Sequence, residues 1–178
     1  MIKLNRRGIT LIEMVAVIVV LGIAIPPLLT SFGDIAWRSG RAESMADGSF
    51  YAQELMEEVK SKAFDENSIR PFTSSSGFSS AEPGESKANA STFDDVDDFV
   101  GCTDAAVTSP ASGYSRSVSL DYVQLSGSTW SACGATTCTA STNCAICAAC
   151  CYKRITVTVS RTDNLLPATS ETTIVSAH

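Results

Sequence analysis

From Met14 to Gly33 the chain carries no charged residue, a run of 20, and the residue just before that run is an acid, Glu13. A helix of this length is long enough to cross a hydrocarbon layer of about 30 Å. A lone carboxylate at one end of such a span is costly in lipid, so it marks a function until shown otherwise. Lys3, Arg6 and Arg7 precede the span, and the next basic residue is Arg38. The bias of basic residues toward the cytoplasmic side puts the N-terminus inside and everything after about residue 34 outside.

A secretory signal has an apolar core of roughly 7–15 residues and a small-residue cleavage site after it. Here the core is longer, and Ile25-Pro26-Pro27-Leu28-Leu29 after it is bulky. The small residue lies before the core, at Gly8. Arg7-Gly8-Ile9-Thr10-Leu11-Ile12-Glu13, followed by Met14-Val15, resembles the class III leader junction of type IV prepilins and type II secretion pseudopilins. The resemblance implies cleavage by a prepilin peptidase between Gly8 and Ile9 and N-methylation of Ile9. It implies that Glu13 pairs with the N-terminal amine of a neighbouring subunit during assembly, and a buried acid becomes tolerable once a partner charge arrives. The implied partners are other pilin subunits, the prepilin peptidase and an inner-membrane assembly platform. The implied location is the inner membrane before assembly, then a pilus on the cell surface, or the periplasm for a pseudopilin.

The 178 residues carry a net charge of −6, which becomes −9 once residues 1–8 are removed. An acidic chain with no basic patch argues against nucleic-acid binding. The one histidine is His178, which removes most histidine-based catalytic and zinc arrangements. There is no G-x-S-x-G and no phosphate-cradling glycine loop, so an enzyme is not expected.

Ala42, Met45, Ser49, Ala52, Met56, Val59 and Ala63 recur at alternating spacings of three and four, which predicts one apolar face of a helix continuing the span to about Lys62. Gly22, Pro26 and Pro27 lie inside it, and two missing N–H donors predict a loosened or kinked ladder. Residues 64–92 read as a mobile loop rich in Gly, Ser and Pro. Alternation of β-branched and polar residues predicts strands over Ser117–Leu125, Tyr152–Arg161 and Thr172–Val175. The fold class is therefore α+β: a long N-terminal helix packed on a C-terminal antiparallel sheet, the arrangement that the pilin resemblance also implies. The expected divisions are a leader at 1–8, a membrane or filament-core half-helix at 9–34, an amphipathic half-helix at 35–63 and a β head at 64–178, with a cysteine-rich insert at 126–151.

Phe93-Asp94-Asp95-Val96-Asp97-Asp98-Phe99-Val100-Gly101 places four acids among five residues. The flanking aromatics are expected to anchor it in the core. A solvated acidic turn is the plain expectation. A calcium site on Asp94, Asp95, Asp97 and Asp98 is the alternative, because clustered carboxylates supply hard oxygen ligands, although the spacing is not that of an EF-hand. This phrase, with Gln53–Glu58, resembles minor pilins of the MSHA (mannose-sensitive haemagglutinin) type.

All seven cysteines follow the span: Cys102, Cys133, Cys138, Cys144, Cys147, Cys150 and Cys151. An oxidising exterior and an insert too small and polar to bury much apolar surface favour disulfides, with Cys102 a possible partner of the patch. A metal or iron–sulfur site and unpaired thiols remain alternatives, and six cysteines allow 15 pairings. Three functions stay open. The first is a minor MSHA-like pilin serving assembly, initiation or adhesion. The second is a minor pseudopilin of a type II secretion system, and the third a membrane-anchored metal-binding protein.

Overall fold

The computed structural model describes residues 10–66, 72–73, 77–133 and 152–177. Gly8, Ile9, Cys138, Cys144, Cys147, Cys150 and Cys151 lie outside the described residues. The chain divides into two compact units, residues 1–43 and 44–178. One helix, α1 (Leu11–Lys60), runs through both.

In the first unit α1 carries no charged residue from Met14 to Gly33, and by length and composition it can cross a membrane. Thr10 stands before its first turn, where the Glu13 N–H lies 3.4 Å from Thr10 Oγ1. This is the donor position that a Thr-x-x-Glu helix start satisfies. The helix continues across Pro26 and Pro27 without a break. The hydroxyl of Thr30 donates to the Pro27 carbonyl at 3.0 Å, bonding backbone oxygen within the proline segment.

In the second unit α1 buries Gly48, Ala52, Leu55, Met56 and Val59. The expected stripe is therefore buried only in its lower part, since Met45 is 43% exposed. Gly48 stands where α1 passes close to the sheet, and a Cβ there would meet Thr169 Oγ1 at 3.3 Å.

The sheet has four antiparallel strands in the order β2-β1-β3-β4, comprising β1 (Tyr114–Ser126), β2 (Thr129–Ala132), β3 (Tyr152–Arg161) and β4 (Thr169–Ser176). β1 starts earlier than its alternation suggested. β2 lies at the start of the cysteine-rich insert expected over 126–151, where no strand was expected, and its four exposed residues carry no burial pattern to find. Gly127, at φ +65, makes the two-residue turn that joins β1 to β2. A short helix α2 (Ala105–Thr108) and single 3-10 turns at Ala90–Thr92 and Asp97–Phe99 fill the connection from α1 to β1.

One face of the sheet is apolar. Val118 pairs with Val157 and Leu120 with Ile155, and these join Ala52, Leu55, Met56 and Val59 of α1 in one core. Phe78, Phe93 and Phe99 complete that core from the loops. Phe78 thus carries the loop expected over 64–92 into the core. The other face is hydroxylated, with Thr158–Ser170 and Thr156–Thr172 paired across strands at 3.1 and 3.2 Å. Leu55 is fully buried, so Leu55→Ala should cost roughly 2–5 kcal/mol. Met45→Ala should cost almost nothing, and urea unfolding of both variants in detergent checks the contrast.

Candidate functional site

The most unusual chemistry of the second unit lies where α1 ends. Ala63 N–H donates to the Asp94 carbonyl at 3.0 Å and Val96 N–H to the Ala63 carbonyl at 3.1 Å, so the acidic phrase is stitched to the helix exit as a parallel bridge. The stitch turns three of its four acids inward. Asp95, Asp97 and Asp98 are only 2–3% exposed. The solvated turn is thus corrected: Asp94 alone of the four faces solvent. The aromatics do anchor the phrase, since Phe93 and Phe99 are buried edge-to-face at 5.1 Å.

Buried carboxylates need donors, and here the backbone supplies many of them. Asp95 Oδ1 accepts from the N–H groups of Asp97 at 2.8 Å and Asp98 at 3.3 Å, and Asp95 Oδ2 accepts from Glu66 N–H at 2.6 Å. Asp98 Oδ2 accepts from the N–H groups of Asp94 and Asp95. Lys87 donates to the carbonyls of Phe78, Asp97 and Asp98 and stands 3.5 Å from Asp98 Oδ1.

Asp97 uses the remaining cation. Lys153 is fully buried, and its Nζ donates to Asp97 Oδ1 at 2.6 Å, Asp65 Oδ2 at 2.9 Å and the Phe64 carbonyl at 2.6 Å. The rings of Phe64, Phe78 and Tyr122 surround it at 4.6, 5.2 and 5.6 Å. Asp65 in turn accepts from Thr73 N–H, while Tyr122 donates its hydroxyl to the Thr73 carbonyl at 2.7 Å. The sequence reading passed over Lys153, although a signal was present: it falls on the same parity as Ile155, Val157 and Val159 and so on the buried face of β3.

Two lysines do not balance these acids. Glu66, Glu82 and Glu85 close around the phrase in three sets, Glu66–Asp94–Asp95, Glu82–Asp95–Asp97 and Glu85–Asp94–Asp98, whose oxygens lie within 4.8 Å of one another. A hydrogen bond with Asp98, then burial, push Glu85 up to about 8, and its Oε2 is buried without a partner among the described residues. Burial pushes Asp97 up to about 7 against the pull of Lys153. Burial and then Asp98 raise Asp95, while burial and then Asp95 raise Glu82. Such a donor set, all hard oxygen and short of positive charge, suits calcium. Cys102 is a half-buried thiol, no disulfide occurs among the described residues, and Cys133 donates its N–H to the Tyr122 carbonyl at 2.8 Å. The Glu13 side chain is exposed on the first turn of α1.

These raised acids set a pH dependence. The folded chain holds protons that the unfolded chain releases between the ordinary values, 3.8 for Asp97 and 4.5 for Glu85, and the raised values of about 7 and about 8. The stability that these groups contribute is fully present below about pH 4 and is lost as pH rises toward 8. Thermal unfolding in detergent without divalent cations should show a higher midpoint at pH 5 than at pH 8; the reverse order would contradict the assignment.

Comparison with known proteins adds the other half of the molecule. Residues 3–25 match the family model for the prokaryotic N-terminal methylation motif, the class III prepilin leader. No curated protein and no solved structure matches the chain. The matched motif opens a long apolar helix whose second half shares a core with an antiparallel sheet. In that motif and architecture the chain is similar to the type IV pilin and pseudopilin family.

Proposed function

We propose that the chain is a minor pilin of the MSHA kind, a structural subunit that serves pilus assembly or initiation and adhesion. The observation that carries this reading is the leader motif in register with α1: Gly8 and Ile9 at the cleavage point, with Glu13 four residues beyond. In this reading a prepilin peptidase cuts after Gly8, Ile9 is methylated, and the span holds the subunit in the inner membrane with its N-terminus cytoplasmic. The Glu13 carboxylate then meets the amine of a neighbour's Ile9, which lets a membrane anchor become a filament core. The acidic phrase at Phe93–Gly101 and Gln53–Glu58 supports the MSHA kind by resemblance.

Glu13→Val should leave membrane insertion intact and strongly reduce incorporation into filaments; normal incorporation would overturn the assembly role. Antibody labelling of intact cells should find the head on extracellular filaments. Labelling confined to the periplasm would replace this reading by a pseudopilin of type II secretion. Disulfides among Cys133, Cys138, Cys144, Cys147, Cys150 and Cys151 are proposed to order the insert, and thiol counting on the purified chain decides between them and a metal-binding patch.

Calcium held by Asp94, Asp98 and Glu85 is a second proposal, supported by their oxygen set and by the buried Glu85 Oε2. At one hundred times its dissociation constant, calcium should add about 2.7 kcal/mol to the unfolding free energy. An unfolding midpoint unmoved by calcium removes this part of the account.

A further inference from the structure

The surroundings of Lys153 are those of a reacting pair as much as of an ion pair. We propose that Lys153 Nζ and the Asp65 carboxyl condense to an intramolecular amide, with Asp97 carrying the proton. Three observations converge on this. The amine and both carboxyl groups are shielded from solvent: the side chains of Lys153 and Asp65 are 0% exposed and that of Asp97 5%. Nζ already lies 2.9 Å from Asp65 Oδ2 and 2.6 Å from Asp97 Oδ1, so nucleophile, electrophile and proton carrier touch before reaction. Thr73 N–H lies 3.0 Å from Asp65 Oδ2 and 3.2 Å from Oδ1, placed to stabilise charge that develops on this carboxyl in a tetrahedral intermediate.

The step balances without a co-reactant. Lys153 passes one ammonium proton to Asp97, and the freed amine attacks Cγ of Asp65. The Nζ–Cγ bond forms and one Cγ–O bond breaks. The departing oxygen takes the proton from Asp97 and a second from Nζ and leaves as water, so Asp97 ends as it began. A cavity of about 760 Å³ lined by Phe64, Asp65, Glu66 and Phe72 adjoins the carboxyl and gives the water an exit. Condensation removes one cation and one anion from a site where ions are costly to bury. It also ties the exit of α1 to β3 by a bond that pulling along the helix cannot slip.

The test is mass mapping of the full-length chain purified in detergent. The intact mass should fall short of the sequence mass by one water, and digestion should yield a branched peptide joining Asp65 to Lys153. Asp97→Asn, which keeps both partners, should restore the full mass and release the two peptides separately; Lys153→Arg should do the same. Wild-type chain at full mass with separate peptides overturns the proposal. A branch at Asp97 instead of Asp65 overturns the assignment of roles.

Discussion

An ammonium taken fully out of water must be met by opposite charge and by hydrogen-bond acceptors, or the fold loses several kcal/mol at that point. Lys153 imposes this demand on the end of the second unit. It stands on β3, and its partners come from the loop after α1 and from the acidic phrase before β1. Segments far apart in the chain therefore meet at one nitrogen. The acids drawn in then need donors of their own, which explains why the chain enters a tight 3-10 turn at Asp97–Phe99, with the N–H groups of Asp97 and Asp98 aimed at the Asp95 carboxylate. The same logic recurs at the other end of the sheet. There the buried Arg116 meets Glu54 and the carbonyls of Tyr51, Ala106 and Val107. Arg116 thus fastens α1 to the sheet, and Lys153 fastens the loop that follows α1.

The first unit obeys a different solvent. Leu11 to Trp37 expose large apolar side chains that no part of the described chain covers. A helix apolar all round belongs in lipid or against other helices. The second unit buries an apolar face between α1 and the sheet. This contrast fits a membrane-anchored helix that carries a head with its own core.

Much of this was legible in the sequence because it depends on periodicity. The uncharged run gave α1, and alternation around Ile155, Val157 and Val159 gave β3 with its observed ends. β2 was not legible, because Thr129–Ala132 buries nothing and exists only by pairing with β1. The acidic phrase misled for a different reason. Four acids among five residues read as solvated when judged by composition, and their burial depends on two lysines, Lys87 and Lys153, distant from them or on another strand. Had Lys153 been counted with the β3 core positions that its parity assigns it, a buried acid partner would have been required, and Asp97 was within reach of that inference.

The central claim is that the first eight residues are a leader and that the helix beyond them begins at a processed end. The mass of the N-terminal peptide from chain recovered from native membranes tests it most directly. The account predicts a peptide that begins at Ile9 and carries one methyl group. A peptide that begins at Met1, or at a position inside the span, would contradict it.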